Sequence, residues 1–350
     1  MTVNIALVGL GYWGPNLARN FAATKGGKLH TLCDARPDRL EHVGAQYPGV
    51  RTTTDFDTVL ADPDVHAMVL ATPPKTHHPL GLAAMAAGKH LLVEKPLANT
   101  SAECEDLIRA AAARSLTLMV GHVFVYNPAV RRVRELIASG DLGDILYVYS
   151  QRLNAGQVRQ DANALWNFAP HDLSILTYWL GTVPVSVVAR GYAFVQPGID
   201  DVVFMTLDYP GGIGANVHIS WLDPLKIRRM TIVGSEKMVV YDDVSADEKI
   251  TIYDKAVKKT AATDPDPRLV SLRSYETFDE FQVRLRLGDV LIPRLDFAEP
   301  LRFETQHFVD CIVSGRTPDT DGEAGLQVVR TLEAAQRSLD EQAARARRAS

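Results

Sequence analysis

A glycine-rich turn near the N-terminus constrains the fold of this chain most strongly. The sequence Gly9-Leu10-Gly11-Tyr12-Trp13-Gly14 directly follows an apolar run at residues 4–8 and precedes a helical pattern at residues 15–23. The first glycine permits a tight turn, the second lets a ligand approach the backbone, and the third lets the helix pack closely on the strand. Unpaired N–H groups at the start of that helix bind anions. This order of strand, turn and helix predicts a parallel α/β sheet with a dinucleotide-binding site.

An acidic residue stands at the end of the second predicted strand. Asp34 follows residues 29–33, about 20 residues beyond the glycine motif, where a carboxylate accepts hydrogen bonds from both hydroxyls of an adenosine ribose. The same carboxylate would repel a ribose 2′-phosphate, which favours NAD over NADP. Arg36 and Arg39 stand nearby, and a nearby arginine accommodates that phosphate in some proteins, so NADP stays open as the alternative.

A lysine follows a strand that is otherwise largely apolar. Residues 91–93 are Leu-Leu-Val, and Glu94, Lys95 and Pro96 come next. Because proline has no N–H to donate, the strand is expected to stop there, with the Lys95 ammonium facing the crevice where α/β sheets bind ligands. A salt bridge with Glu94 or with a loop carboxylate is the alternative. The pair with Glu94 is disfavoured because adjacent strand residues face opposite sides.

A second rim of this crevice is predicted after the apolar run at residues 67–71. Thr72 and Pro73 follow that run, and His77 stands at the start of the next helical pattern, where it either touches the cofactor or only begins the helix. The residues predicted to bind the cofactor are Gly9, Gly11, Tyr12, Trp13, Gly14, Asp34, Ala35, Thr72, Pro73, His77, Glu94 and Lys95.

The chain divides into two predicted domains. Residues 1–122 alternate short apolar runs with helical patterns, which is typical of βαβ units and an α/β domain. Residues 123–350 are expected to form an α+β domain with a large, mostly antiparallel, open-faced sheet. The predicted strands lie at residues 4–8, 29–33, 67–71, 90–93, 116–120, 185–193, 202–208, 213–220 and 227–234.

Other segments of the second domain carry weaker patterns. Residues 210–212, Pro-Gly-Gly, predict a hairpin turn, and the polar residues 255–267 predict an exposed loop. Two closing helices are predicted at residues 301–314 and 323–343, and packing against the first domain is one placement left open for them. The uncovered face of the sheet predicts an oligomer, a homodimer or a homotetramer.

Composition narrows the classes of partner. The formal net charge is −5 with both signs intermixed, so no basic field for nucleic acid and no polybasic membrane surface is expected. Small molecules are the expected ligands, and a cytoplasmic location is expected because no apolar stretch is long enough to span a bilayer. Cys33, Cys104 and Cys311 lack metal-ligand spacing, so buried thiols and no metal site are predicted.

Four motifs together resemble the Gfo/Idh/MocA oxidoreductase family. They are the segment from Val8 to Gly14, Thr72-Pro73-Pro74 with His77, Glu94-Lys95-Pro96, and His171-Asp172. The resemblance covers essentially the whole chain and implies a Rossmann domain followed by an α+β domain whose open sheet mediates subunit contacts. It also implies that Lys95 lies near the nicotinamide and the substrate, and that His171 is the acid/base.

Within the family, three further segments look like the nucleotide-sugar branch, which includes enzymes similar to UDP-N-acetylglucosaminuronate 3-dehydrogenase. They are residues 14–21, residues 165–172, and the stretch from Gly288 to Leu301. Many relatives, inositol dehydrogenases among them, carry an aspartate four residues before the histidine, where this chain has Asn167. A neutral amide orients a substrate but cannot share a proton as a carboxylate does, which disfavours an inositol substrate.

The sequence around His171 favours a base independently of the family. Ala169 precedes a proline and is biased away from helix, so Pro170 is predicted to be the first helical residue and His171 to lie in the first turn. The positive end of that helix would disfavour imidazolium, leaving a neutral ring that accepts a hydroxyl proton while Lys95 stabilises the alkoxide. A hydrogen-bonded histidine buried between domains is the alternative.

A polar segment at residues 152–166 precedes the histidine and is predicted to recognise the substrate. Arg159 in it either clamps a phosphate or carboxylate or forms an ion pair at the rim. His122 and Tyr126 follow the last strand of the first domain and either line the pocket or pack between domains. The predicted substrate-binding residues are Lys95, His122, Tyr126, Arg159, Asn163, Trp166, Asn167 and His171.

The leading function is therefore NAD-dependent oxidation of a secondary alcohol, at C3, on an amino sugar or nucleotide sugar. Reduction of the 3-ketone and dehydrogenation of an inositol or aminosugar use the same residues. A redox glycosidase that retains NAD is a second class, and a non-catalytic NAD-sensing protein is a third, which the presence of both Lys95 and His171 disfavours.

Overall fold

The computed structural model describes residues 2–156, 158–261, 266–271, 281–296 and 298–349. They form two compact units. The first comprises Met1–Asn127, Leu173–Thr177 and Phe297–Glu333, and the second comprises Pro128–Asp172, Tyr178–Asp296 and Ala334–Ser350. The predicted domain division at residue 122 stays a prediction.

The first unit contains a six-stranded sheet in the order β3-β2-β1-β4-β5-β6 with every pair parallel. Its core is almost wholly aliphatic, and Ile5, Leu7, Leu32, Leu91 and Leu92 are each 0% exposed. Strands that are covered on both faces read as continuous apolar runs, which is why the sequence predicts every strand of this sheet except the polar edge strand β3. The strands are β1 Val3–Val8, β2 Gly27–Cys33, β3 Arg51–Thr53, β4 Ala67–Leu70, β5 His90–Glu94 and β6 Leu118–Gly121.

The second unit contains a mixed sheet in the order β14-β15-β13-β12-β11-β7-β10-β9-β8, in which only the β7–β10 pair of the described strands is parallel. Its strands are β7 Ile145–Ala155, β8 Ser186–Tyr192, β9 Val202–Asp208, β10 Gly214–Ser220, β11 Leu222–Gly234, β12 Met238–Asp242, β13 Ile250–Ala261, β14 Leu269–Ser271 and β15 Phe281–Leu291. The fold class is confirmed: a parallel α/β unit and a second, mostly antiparallel sheet.

The helices flank the two sheets. Among the described ranges, no helix combines the length and the apolar character that a membrane span requires. Gly88 follows helix residues 77–86 with a φ of 77°, the left-handed conformation in which glycine commonly ends a helix. The helices are α1 Gly14–Ala23, α2 Pro37–Gly44, α3 Phe56–Ala61, α4 His77–Ala86, α5 Ser101–Ala112, α6 Pro128–Ala138, α7 Ala164–Leu180, α8 Pro300–Ser314 and α9 Gly322–Ala349.

The predicted hairpin turn is confirmed. Gly211 and Gly212, with φ values of 79° and 81°, turn the chain between the antiparallel strands β9 and β10. On β10, Val217 and Ile219 are each 0% exposed. Asn216, which points to the opposite face, is exposed. One face of this sheet therefore packs on the core of the second unit.

The prediction of an exposed loop at residues 255–267 is wrong for residues 255–261, which lie in a strand. Residues up to Ala261 belong to β13, which pairs with β15 through Ala256 opposite Arg286. Ala256 is 1% exposed, so this otherwise polar strand buries a small side chain. Pairing with a strand distant in sequence overrides the local polarity. Residues 262–265 lie outside the described ranges.

The prediction of buried thiols is confirmed. Cys33, Cys104 and Cys311 are all buried and free. Burial raises the pKa of the Cys33 thiol to about 11 and that of Cys104 to about 12. Neither thiol is therefore a ready nucleophile at neutral pH.

Candidate active site

Four of the predicted site residues lie at the carboxyl edge of the six-stranded sheet. Gly9 directly follows β1, Lys95 directly follows β5, His122 directly follows β6, and Thr72 lies two residues beyond the end of β4. Because all six strands are parallel, these positions share one edge. The strand order reverses between β1 and β4, and α/β sheets bind ligands in the crevice at such a point.

The glycine motif has the shape that a dinucleotide cradle needs. Gly9 has a φ of +96°, and a Cβ on it would lie 2.6 Å from the carbonyl oxygen of Ala71. A Cβ on Gly14, the first residue of α1, would overlap the carbonyl oxygen of Gly9. A Cβ on Gly11 would meet nothing within 4 Å, so space lies open where the pyrophosphate of NAD would approach the backbone. The loop therefore fits the cofactor.

The two aromatic residues of the motif differ in exposure: Tyr12 is 88% exposed, whereas Trp13 is half-buried. Their rings meet edge-on with centroids 5.9 Å apart. Trp13 occupies the cap position of α1 and makes no side-chain capping bond. Contact of either side chain with a cofactor stays a prediction.

Asp34 ties the glycine motif to the end of β2. Its carboxylate accepts hydrogen bonds from the backbone N–H of Leu10 at 2.6 Å and from that of Arg36 at 2.9 Å. The Arg36 Nε lies 3.8 Å from the same carboxylate, on a side chain that is 53% exposed. Each carboxylate oxygen keeps a further lone pair, so ribose hydroxyls can still donate to Asp34. Ala35, beside it, is exposed.

His77 joins the ends of two neighbouring strands. Its Nδ1 lies 2.9 Å from the carbonyl oxygen of Pro96 and its Nε2 lies 2.9 Å from that of Thr72. The side chain is 0% exposed, and burial lowers its pKa although the two carbonyls oppose the shift. The neutral ring donates to one carbonyl at a time. Pro73 immediately precedes a turn of 3₁₀ helix that leads into α4.

Glu94 and Lys95 close β5. The Glu94 Oε2 accepts a hydrogen bond from the backbone N–H of Lys95 at 3.3 Å, and the peptide bond between Lys95 and Pro96 is cis. Both residues are half-buried. Loss of hydration raises the pKa of Glu94 to about 7, although the positive charge of Lys95 acts in the opposite direction.

His122 and Tyr126 lie inside the first unit. His122 is 1% exposed, and burial together with the charge of Lys95 lowers its pKa to about 3, so the ring is neutral. Neither of its ring nitrogens has a hydrogen-bond partner among the described residues. Tyr126 is 0% exposed, and its hydroxyl lies 2.9 Å from that of Thr320. Substrate contact for this pair stays a prediction.

The prediction that a helix begins at Pro170 is wrong. Helix α7 begins at Ala164, so Pro170 lies in its interior and His171 lies in its third turn. The start is fixed by Asn163, whose side-chain oxygen accepts from the backbone N–H of Trp166 at 3.1 Å. Because an asparagine cap is available earlier, the helix forms through the proline. His171 therefore has no stabilisation of its neutral form from a helix N-terminus.

Three of the other predicted substrate residues have protein partners. Asn163 Nδ2 and Trp166 Nε1 donate to the same side-chain oxygen of Gln336, at 3.0 and 3.1 Å. Arg159 forms a two-point ion pair with Asp161, at 2.8 and 2.6 Å, so an anionic substrate group would have to displace Asp161. Asn167, one turn before His171, is half-buried on α7.

Asp172 anchors α7 to the sheet of the second unit, which sequence reasoning missed. Its carboxylate accepts from Arg152 Nε at 2.5 Å and from the Ser150 hydroxyl at 2.6 Å, and all three residues are buried. Ser150 and Arg152 alternate on β7, so they face the same side of the sheet. Arg152 thus belongs to a strand and to an internal ion pair, not to a substrate-recognition loop. The anchor fixes the residue next to His171.

Removing this anchor is expected to destabilise the second unit strongly. In Asp172→Ala the carboxylate that accepts from the buried Arg152 is lost, so the free energy of unfolding should fall by about 3 kcal/mol. Urea unfolding measures the change. Asp161→Ala breaks an exposed Arg–Asp pair and serves as the matched control, with an expected loss of about 0–1 kcal/mol. Equal losses in the two variants would contradict a structural role for Asp172.

The structure thus groups the predicted residues by unit. The glycine motif, Asp34, Thr72, His77, Glu94, Lys95 and His122 belong to the first unit, at or beside the carboxyl ends of its parallel strands. Arg159, Asn163, Trp166, Asn167 and His171 belong to the second unit, on α7 or in the loop before it.

Two family models match this chain. Residues 3–122 match the model described as "Oxidoreductase family, NAD-binding Rossmann fold". Residues 130–240 match the model described as "GFO/IDH/MocA C-terminal domain". The first match spans nearly all of the predicted first domain, and the second match spans the predicted second domain only as far as residue 240.

Curated relatives agree with these matches. The chain is 30% identical over 226 residues to inositol 2-dehydrogenase 2 of Saccharopolyspora erythraea, covering 63% of this chain and 67% of that one. It is 30% identical over 238 residues to UDP-N-acetylglucosamine 3-dehydrogenase of Acidithiobacillus ferrooxidans, covering 67% and 72%. A solved structure of the latter enzyme superposes with a TM-score of 0.79 at 26% identity, covering 97% of this chain and 98% of that chain. Three other curated relatives are matched over only 59% of their length.

Proposed function

The chain belongs to the Gfo/Idh/MocA family of NAD-binding oxidoreductases, and we propose that it transfers hydride between NAD and a secondary alcohol of a sugar or nucleotide sugar. The observation that carries the proposal is the position of Lys95, a cation that follows β5 at the same sheet edge as the open glycine cradle. A cation at that edge suits a substrate whose oxygen becomes negative during the reaction. C3 is the proposed site of oxidation.

In the proposed mechanism two side chains handle the substrate hydroxyl. His171 accepts the hydroxyl proton, and the Lys95 ammonium stabilises the oxygen as its negative charge develops. Nicotinamide, when bound, accepts the hydride from the carbinol carbon. In the reverse direction Lys95 polarises the ketone and His171 returns the proton.

Residues around the histidine favour a sugar over an inositol as the proposed substrate. Asn167 stands one turn before His171 and offers an amide in place of a carboxylate, so it can orient hydroxyls but does not act as an acid or a base. Arg159 lies in the loop before α7 with a side chain that is 46% exposed, and exchanging Asp161 for a diphosphate would keep its two-point geometry. The similarity to UDP-N-acetylglucosamine 3-dehydrogenase supports the same class.

A substrate screen tests this proposal. The purified chain is mixed with NAD and, in turn, with UDP-sugars, dTDP-sugars, free aminosugars and inositols, and NADH formation is followed by absorbance. We expect turnover with a nucleotide sugar or aminosugar, and weaker turnover when NADP replaces NAD because Asp34 repels a 2′-phosphate. Activity confined to inositols would reject the nucleotide-sugar branch, and glycoside cleavage without net NADH would favour a redox glycosidase.

We also propose that the chain forms a homodimer or homotetramer through the sheet of the second unit. Several apolar side chains on its strands are exposed, and among them Tyr147 is 48%, Val188 55% and Phe204 41% exposed. Exposed apolar side chains on several strands of one sheet are typical of a surface that packs against another protein. Light scattering coupled to size-exclusion chromatography tests the proposal, and a monomeric mass would reject it.

A further inference from the structure

Glu304 is a buried carboxyl group that the proposed mechanism leaves without a role. It lies on α8 and is 0% exposed, and neither of its carboxyl oxygens has a hydrogen-bond partner among the residues that the structure describes. An ionised carboxylate is strongly unfavourable in such a place, because water is excluded and no donor compensates for the lost hydration. Burial raises the pKa of Glu304 well above its usual range, and the negative charge of Glu94 raises it further.

Glu94 is the acidic group that acts on Glu304. Residue 121 of β6 lies opposite Glu94 in the sheet, and a Cβ built on Gly121 would come 3.2 Å from both Cδ and Oε2 of Glu94. The carboxyl group of Glu94 therefore packs over a glycine that leaves room for it. Two carboxyl groups within electrostatic reach disfavour each other's ionisation, so they titrate as a pair.

Lys95 is the cation that follows Glu94 in the chain at the sheet edge. Its charge acts on Glu94 and on the neutral ring of His122. Helix α8 also packs on α1, on β1 and on the turn Val123–Tyr126, and β1 carries no titratable side chain. Three other titratable groups near these contacts engage other partners: Arg19 lies against Glu299, Tyr126 against Thr320, and His307 against Asp319.

We propose that Glu94 and Glu304 act as one acid pair that retains a proton at neutral pH and so limits the negative charge beside Lys95. Glu304 keeps its proton, and Glu94 is the member that ionises. The pair then carries at most one negative charge near neutrality, so the Lys95 ammonium is never outweighed by two carboxylates when a substrate oxygen becomes negative. Glu304 acts through Glu94 and is a positioning residue. Only the effect on the substrate oxygen rests on the proposed function.

The pH dependence of stability tests the retained proton without any substrate. A carboxyl group whose folded-state pKa lies above its unfolded-state value contributes stability that is full at acidic pH and is lost as the pH rises through the folded-state pKa. Glu304→Gln has no carboxyl group at this position, so it lacks this loss of stability. Its unfolding equilibrium constant should therefore rise less steeply with pH than that of the parent chain. The difference in slope should be up to about tenfold per pH unit. The variant therefore gains stability relative to the parent chain as the pH rises in urea unfolding series. Destabilisation by the same factor at every pH would overturn the proposal.

A second variant, a control variant and an infrared measurement complete this test. Glu304→Leu replaces the acid with an apolar side chain and should show the same relative gain with pH if the amide variant does not fold. Glu341→Gln is the matched control, because the Glu341 side chain is 71% exposed, and its pH dependence should equal that of the parent chain. Infrared spectra at neutral pH should show the carbonyl band of a protonated carboxylic acid that Glu304→Gln loses and Glu341→Gln keeps. Absence of that band from the parent chain would overturn the proposal.

The charge-setting step is tested by enzyme kinetics with the substrate that the screen identifies. Glu94→Gln should remove one ionisation from the profile of kcat/KM and leave that of the base His171, whereas Glu304→Gln should retain both ionisations. Profiles of Glu94→Gln and the parent chain that coincide would overturn the effect on Lys95. If no substrate is turned over, the proposed function fails, yet the stability series and the infrared band still decide whether the acid pair exists.

Discussion

Replacing Lys95 with methionine is expected to lower kcat by about 10²–10³-fold, because the variant lacks the cation that stabilises negative charge on the substrate oxygen. Methionine retains much of the length and apolar stem of lysine, so the end of β5 should keep its packing. The glycine cradle and Asp34 are unaltered, so any change in the affinity for NAD measures what Lys95 itself contributes to cofactor binding. Steady-state NADH formation measures kcat, and quenching of tryptophan fluorescence measures cofactor binding.

Lys25→Met provides the matched control for this variant. Lys25 is exposed in the loop between α1 and β2, at the opposite, amino edge of the parallel sheet, so its loss should leave kcat and KM unchanged. An increase of KM in Lys95→Met with kcat unaltered would mean that Lys95 only binds the substrate. That result would contradict the role in stabilising the transition state.

The positions of the candidate site residues in the first unit could be predicted because each depends on local sequence. Gly9 must adopt a positive φ at a strand end, and Lys95 must follow the last apolar residue of β5, so the alternation of strands and helices places both at one sheet edge. Dependence on local sequence also explains why strand β3 was missed. Its three residues, Arg51–Thr53, are polar and lie at the edge of the sheet. Short edge strands carry little apolar signal.

The second unit shows where local patterns are insufficient. The polar strand β13 is held by pairing with β15, which is distant in sequence. Pro170 indicated a helix start, but the asparagine cap at position 163 begins the helix earlier. The partners of Asp172 depend on which strand α7 packs against, which no spacing reveals. Sequence reasoning also missed Glu304, because an acidic residue in an amphipathic helix is ordinarily exposed.

His171→Ala is expected to lower kcat/KM by about 10²–10⁴-fold, because the variant lacks the group that accepts the hydroxyl proton. The anchor formed by Asp172 with Arg152 and Ser150 is untouched in this variant, so α7 should remain in place and the folded structure should be retained. Hydroxide can replace a missing base, so the residual rate should rise with pH without the plateau that a titrating side chain produces. Added imidazole should restore part of the rate. Initial rates across a pH series, with and without imidazole, measure both effects.

His42→Ala is the control that separates a lost base from a lost histidine. His42 is exposed on α2, so its removal should leave the rate and its pH profile unaltered. A rate in His171→Ala that falls while the shape of the pH profile stays the same, with no response to imidazole, would assign His171 to substrate orientation. Turnover that is unchanged in both His171→Ala and Lys95→Met would exclude the proposed mechanism altogether. Hydride transfer would then have to proceed with a different base and a different electrostatic partner at the carboxyl edge of the six-stranded sheet.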